Sequence, residues 1–165
     1  MSTVFESLRI RSVTWAAERG IFDKSTAAHQ CVYTASEFGE FADGLLDSDR
    51  AATKDGIGDT MVTIANVMHF MDPYWNLSSL EFVSLKNAGI LSGVSALGRL
   101  ATAVLKNDAA AAASASVFLL HLLDDYAAVQ GSSLADCWSE ALTVIEGRTG
   151  SMVNGAYVKN EQVEQ

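Results

Sequence analysis

The sequence is poor in residues that interrupt helices, form disulfides or bind polyanions. Pro73 is its single proline, so long uninterrupted helices are possible. Its two cysteines, Cys31 and Cys137, lie far apart and lack metal-ligand spacing, which favours reduced core thiols and a reducing, cytoplasmic setting. Eleven basic residues stand against twenty acidic ones, and the formal charge of −9 disfavours nucleic acid as a partner.

Signals for membrane insertion or export are also missing from the sequence. We find no apolar run as long as a membrane span, and the N-terminal residues lack the basic start and apolar stretch of a signal peptide. We therefore expect a soluble, intracellular protein with no membrane partner.

The residues that are present predict an all-α fold in one domain of 165 residues. Nearly half of them are hydrophobic, and they recur at intervals of three and four, as on one face of a helix. The pattern predicts helices over residues 3–19, 30–46, 50–71, 90–106 and 109–129, and a last helix that Ser133 caps and that runs to about residue 146. It also suggests a short helical stretch over residues 79–85, and a glycine-rich, then polar tail over 147–165 that frays at its end.

Two acidic clusters on consecutive predicted helices are the clearest candidate site. Glu37 and Glu40 are three residues apart and Asp55 and Asp59 four apart, so each pair shares a helix face. The short turn between the helices makes them antiparallel neighbours, and four facing carboxylates require a compensating cation. Oxygen ligands of this kind suit Mg²⁺ or Mn²⁺.

A solvated helix face and a di-iron bundle are the two alternatives to such a site. Acidic pairs often lie on a solvated helix face, but here Phe38, Phe41 and Ile57 are interleaved with them. A ferritin-like di-iron bundle also places carboxylates on helices, but it requires Glu-x-x-His pairs, and no histidine lies three residues after a glutamate. The sequence therefore favours the magnesium or manganese site.

The acidic region has a second, uncharged copy. A shift of 59 residues, without a gap, brings 36–42 onto 95–101 and continues through the following helix. The four acids are replaced in the copy by Ala96, Arg99, Ser114 and Phe118. We predict an acidic repeat over 36–94 and a degenerate repeat over 95–153 that supplies a structural partner in cis. Chance alignment of alanine-rich amphipathic helices is the alternative.

These residues resemble the MazG-like all-α nucleoside triphosphate pyrophosphohydrolases. Glu-x-x-Glu is followed after about fifteen residues by Gly58-Asp59 and an apolar helix, and members from phages add the matches Trp15-Ala16-x-Glu18-Arg19-Gly20, Gln30, Asp55, Asn66 and the tail from Arg148 to Lys159. The resemblance covers nearly the whole chain and extends to the MazZ branch, which cleaves dGTP and GTP. The chain departs from the family at Gly56, usually a glutamate, at Ser36, often a glutamate, and at Tyr33, often a lysine.

The resemblance implies an enzyme that cleaves a (deoxy)nucleoside triphosphate, dGTP or GTP included, into the monophosphate and pyrophosphate. It implies more than one Mg²⁺ or Mn²⁺ ion, held by Glu37, Glu40, Asp55 and Asp59, with Glu37 and Glu40 as catalytic residues and Glu37 orienting the attacking water. The implied substrate-binding residues are Trp15, Gln30, Lys54, Asn66, Arg148 and Lys159. It also implies a dimer or tetramer in the cytoplasm, or in the host cytoplasm for a phage protein.

Two further classes of function remain open. One is a catalytically silent helical bundle that binds a nucleotide or a metal, which the loss of a carboxylate at Gly56 would favour. The other is a structural oligomerisation module, which leaves the acidic clusters unexplained.

Overall fold

The computed structural model describes residues 2–86, 88–154 and 156–160, and most of these residues are helical, which confirms the all-α fold class. The described residues form seven helices and one antiparallel hairpin: α1 (Ser2–Glu18), α2 (Ile21–Lys24), α3 (Ala27–Leu46), α4 (Arg50–Met71), α5 (Ile90–Leu105), α6 (Ala109–Val129), α7 (Leu134–Glu146), β1 (Gly150–Val153) and β2 (Ala156–Lys159).

The helix ends follow from local chemistry. α1 gives way to Gly20, which has a left-handed backbone (φ +72°) that glycine adopts without strain. The side chains of Thr26, Asp49 and Ser133 accept hydrogen bonds from the first backbone N–H groups of α3, α4 and α7. α4 ends immediately before Asp72-Pro73. These signals stand in the sequence, and the predicted helix ends agree with the structure to within a few residues.

Helix α4 lies at the centre of the fold. It packs against α1, α3, α6 and α7, and twelve of its residues are buried. A core of large buried side chains surrounds it, among them Trp138, Phe41, Met61, Leu100 and Leu122. Both cysteines lie in this core as free thiols.

Three segments differ from the sequence-based expectation. The helix predicted over 79–85 is wrong, because the whole segment 72–89 is irregular where it is described. An additional helical turn, α2, lies between α1 and α3. The tail forms the β1–β2 hairpin instead of an irregular polar segment. Residues 161–165, where we expected fraying, lie outside the described residues.

The α3–α4 and α5–α6 turns are built alike. Ser48 and Asn107, which correspond under the shift of 59 residues, both have a left-handed backbone (φ 56° and 53°). Asp49 and Asp108 follow them, and each caps the next helix through its side chain. The backbone N–H of each aspartate also donates to the carbonyl five residues earlier, at 2.8 Å and 2.9 Å. The two hairpins thus share their turn geometry, while the division of the chain into two repeats stays a prediction.

Helix α6 is the segment that tests whether any part of the chain reaches the length of a membrane span, which we did not expect. Among the described helices, α6 is long and apolar enough to cross a membrane, so that expectation is wrong by length and composition. Core helices meet the same criterion, and four leucines of α6 are fully buried within the bundle: Leu119, Leu120, Leu122 and Leu123.

Candidate functional site

A cavity of about 370 Å³ brings most of the predicted site residues together. α3 and α4 form its acidic side, and α1, the end of α7 and the terminal hairpin complete its wall. Eight predicted residues line it: Trp15, Gln30, Glu37, Glu40, Asp55, Asp59, Asn66 and Arg148. We call this cavity the acidic pocket.

The four carboxylates reach one pocket because α3 and α4 are antiparallel neighbours joined by a short turn. Phe38 and Phe41 of α3 are buried in the core, with ring centroids 5.2 Å apart, so the residue before each of them, Glu37 and Glu40, lies on another face of the helix. Arg148 is the basic residue among the described lining residues. Among the described lining residues, negative charges therefore outnumber positive ones.

Gly56 explains one departure from the resemblance. A Cβ atom at this position would lie 2.5 Å from the backbone nitrogen of Phe41 and 2.6 Å from its Cα. Gly56 therefore lies at a close approach of α3 and α4 and faces the neighbouring backbone, which leaves no room there for a glutamate side chain. The adjacent Asp55 does line the pocket.

A chain of amide hydrogen bonds lies in the apolar depth of the pocket. Asn66 Nδ2 donates to Gln30 Oε1 at 3.2 Å, and Gln30 Nε2 donates to Ser25 Oγ at 3.2 Å. Asn66 is 2% exposed, and its Oδ1 has no hydrogen-bond partner among the described residues. A buried acceptor without a partner is unfavourable by about 1–3 kcal/mol, so a ligand with an N–H or O–H donor would be stabilised there.

The opposite wall is held by contacts between the two ends of the chain. Trp15 Nε1 donates to the carbonyl of Ile145 at 3.0 Å, and the Trp15 ring meets Tyr157 edge-on at 5.5 Å between centroids. The Arg148 carbonyl accepts from Arg19 Nη2 at 3.2 Å and from the Tyr157 hydroxyl at 3.4 Å. Trp15 is thus a buried wall residue, and its predicted stacking on a base stays a prediction.

Lys54, which we predicted as a substrate-binding residue, does not line the pocket. Lys54 precedes Asp55, so it points about 100° away around the helix. It pairs with Glu140 of α7 at 3.0 Å and lines a separate cavity of about 210 Å³ that also contains Cys137. Burial raises the pKa of the Cys137 thiol, which keeps it neutral at neutral pH. Lys159 belongs to β2, but its side chain lies outside the described part of the structure.

The pocket also contains residues that we did not predict as site residues. Tyr33 continues the spacing of Glu37 and Glu40 on α3, and Thr63 continues that of Asp59 on α4, so helical periodicity could have identified both. Tyr157 reaches the pocket through the terminal hairpin, whose docking against α1 has no signal in the sequence.

The four carboxylates of the acidic pocket are suitable ligands for a hard divalent cation, but their side chains do not form a cluster around one possible ion position. Carboxylate oxygens are the ligands that Mg²⁺ and Mn²⁺ prefer. Among the residues that the structure describes, however, no three histidine, cysteine, aspartate or glutamate side chains lie close enough together to hold a metal ion. A site with three or more of these side chains around one ion would therefore require changes of side-chain rotamer, whereas one or two carboxylates with water and a substrate phosphate would also suit Mg²⁺.

Comparison with known proteins does not identify a family for this chain. No protein-family model, no curated protein and no solved structure matches it. The resemblance to the MazG-like pyrophosphohydrolases, and the activity that it implies, therefore stay predictions.

Proposed function

We propose that the protein is a nucleoside triphosphate pyrophosphohydrolase that cleaves a (deoxy)nucleoside triphosphate into the monophosphate and pyrophosphate. The observation that carries the proposal is the convergence of Glu37, Glu40, Asp55 and Asp59 on one pocket. Carboxylate oxygens are the ligands that Mg²⁺ prefers, and a divalent cation that arrives with a triphosphate would find them on both helices of the pocket.

The acidic pocket also offers groups suited to the rest of a nucleotide. Asn66 follows Asp59 by seven residues, which is about 10.5 Å along the helix, so it would meet the base or sugar when the phosphates lie beside the acids. Its unpartnered Oδ1 would accept a hydrogen bond from a base amino or imino group or from a sugar hydroxyl. The Arg148 side chain would contact phosphate oxygens.

We propose roles for the four carboxylates from their positions around the acidic pocket. Glu37, Glu40, Asp55 and Asp59 would hold Mg²⁺ or Mn²⁺, with more than one ion expected. When bound, these ions would neutralise the phosphates and supply Lewis acidity at phosphorus. We assign to Glu37 the task of orienting the attacking water and accepting its proton.

The test is a panel of nucleoside and deoxynucleoside triphosphates incubated with Mg²⁺ or Mn²⁺. We expect pyrophosphate from at least one nucleotide, no release in EDTA, and the highest kcat/KM for the preferred base, for which dGTP and GTP are the first candidates. Absence of pyrophosphate from every nucleotide with both metals would contradict the proposal.

A second function is a catalytically silent bundle that binds a nucleotide or a metal. Two observations favour it: the carboxylates do not form a ready cluster among the described residues, and Gly56 leaves no place for a further acid. It predicts Mg²⁺-dependent nucleotide binding by calorimetry without pyrophosphate release, so the same panel separates the two functions.

A further inference from the structure

A second groove, of about 710 Å³, lies between α5 and α6 and is lined by basic side chains. Arg99 and Lys106, on α5 and at its C-terminal end, face it together with Thr102, Ser114 and Phe118. We propose that this basic groove binds a small phosphate-bearing anion directly, without a divalent cation. The proposal does not require the acidic pocket to be catalytic.

The first argument is that the charge of the groove is reversed relative to the α3–α4 hairpin. Under the shift of 59 residues, five lining residues of the groove correspond to acids: Arg99 to Glu40, Thr102 to Asp43, Lys106 to Asp47, Ser114 to Asp55 and Phe118 to Asp59. The formal charge at these five positions therefore goes from −5 to +2. Loss of a metal site alone would remove the acids; it would not add two cations.

The second argument is that the other lining positions keep their size. Four are identical in the two hairpins, and two change from glycine to alanine. Ser95, Gly98, Asp108 and Ala111 are the identical residues. The small residues of the lining have therefore been kept or changed only by one methyl group, while the largest changes fall at the five positions that are acidic in the α3–α4 hairpin.

The third argument is the fixed position of the Arg99 side chain. Its guanidinium lies over the Phe118 ring, 5.2 Å from the centroid, and its Nη1 donates to Ser95 Oγ at 3.0 Å. A guanidinium held by its face on an aromatic ring directs its N–H groups sideways, in the fork geometry that matches a phosphate. The side chain is thus restrained before any ligand binds.

The fourth argument is that the described carboxylates do not neutralise these cations. The ion pairs among the described residues involve Arg9, Arg11, Arg19 and Lys54, and none of them involves Arg99 or Lys106. Asp108 lies in the groove, but its Oδ1 accepts a hydrogen bond from the Ala111 N–H and caps α6. In a protein of charge −9, the two cations would therefore attract a small anion to this groove.

The experiment titrates inorganic phosphate, pyrophosphate and a nucleoside monophosphate into the protein in EDTA, with binding followed by calorimetry. EDTA removes the divalent cations that the acidic pocket would use, and the Arg99 and Lys106 variants assign the remaining binding to the basic groove. We expect saturable binding, with at least about tenfold weaker affinity in Arg99→Gln and a smaller loss in Lys106→Gln. The three anions distinguish a free phosphate group from one carried on a nucleoside.

Two variants make the result specific. Arg99→Lys keeps the charge but loses the fork, so it should weaken binding while the thermal unfolding midpoint is unchanged. Arg11→Gln removes an exposed arginine that pairs with Glu146, and it should bind like the unaltered protein. No saturable binding of any of the three anions, or equal weakening by Arg11→Gln, would overturn the proposal. A change of molecular mass by light scattering in Arg99→Gln would also overturn it, because the groove would then be an interface between copies of the chain.

Discussion

Among single residues, Gly56 is one of two glycines that let the helices of the acidic pocket approach each other closely; the other is Gly44. We predict that Gly56→Ala lowers the free energy of unfolding by about 1–3 kcal/mol, because the added Cβ meets the Phe41 backbone. Gly39→Ala is the matched control on α3: nothing lies within 4 Å of its Cβ, so the change should stabilise the protein by about 0.5–1 kcal/mol. Urea unfolding measures both. Equal effects would show that Gly56 is not a packing constraint.

The pocket acids are expected to matter for activity and not for folding. Glu40→Gln and Asp55→Asn should each lower pyrophosphate release by at least about 100-fold, while helicity by circular dichroism stays unchanged. Asp43→Asn is the control, because Asp43 is an exposed acid of the same helix outside the pocket. Retained activity in Glu40→Gln and Asp55→Asn, or an equal loss in Asp43→Asn, would refute the assignment of the site.

At the residue level the sequence predicted the acids, but not all of their surroundings. Glu37, Glu40, Asp55 and Asp59 were predicted from helical spacing, and the structure brings them to one pocket. Lys54 was predicted as a substrate-binding residue with the resemblance, but its direction around the helix takes its side chain to Glu140 instead. Helical spacing therefore predicted the place of the four acids, whereas the prediction for Lys54 did not take its direction around the helix into account.

Among the elements, the irregular segment 72–89 depends on side chains for its backbone hydrogen bonds. The N–H groups of Leu77, Val83 and Leu85 donate to Glu6 Oε2, His121 Nδ1 and Asp125 Oδ2. Helix periodicity could not predict this arrangement, because the acceptors lie 71, 38 and 40 residues away in the chain. The terminal hairpin was not predicted either. Its strands are joined by a turn at Asn154 (φ 52°), and their sequences lack the alternation of apolar and polar residues that predicts a strand.

Glu6 makes the stability of this segment dependent on pH. The pKa of Glu6 lies below its ordinary value of 4.5. The hydrogen bond from the Arg9 side chain contributes most to this lowering, the Leu77 N–H contributes as well, and burial acts in the opposite direction. Because the pKa is lower in the folded chain than in the unfolded one, the stabilisation is complete above 4.5 and is lost as the pH falls through the folded value.

We therefore predict that Glu6→Gln lowers the free energy of unfolding by about 1 kcal/mol at neutral pH, and that the difference from the unaltered protein narrows in acid. Urea unfolding at neutral pH and below 4.5 measures this, and hydrogen exchange at Leu77 locates the loss. Glu81→Gln, an exposed acid of the same segment, should have little effect. A constant difference at all pH values would contradict the role of the Glu6 charge.

In the whole molecule, two helical hairpins share the same turn, and five acids of the first correspond in the second to two basic and three neutral residues. The sequence predicted the five long helices from α3 to α7, because caps, glycines and the single proline mark their ends. It did not predict how α1, α7 and the terminal hairpin close the acidic pocket, because those contacts join residues such as Trp15 and Ile145 from the two ends of the chain. The predicted dimer or tetramer stays a prediction.

The central claim is that the acidic pocket hydrolyses a triphosphate at its α-phosphorus, and ³¹P NMR of the reaction products tests it most directly. With the preferred nucleoside triphosphate and Mg²⁺, we predict equal amounts of nucleoside monophosphate and pyrophosphate. We predict that both are absent in EDTA and in Asp55→Asn. A diphosphate with inorganic phosphate, or an unchanged triphosphate, would contradict the account.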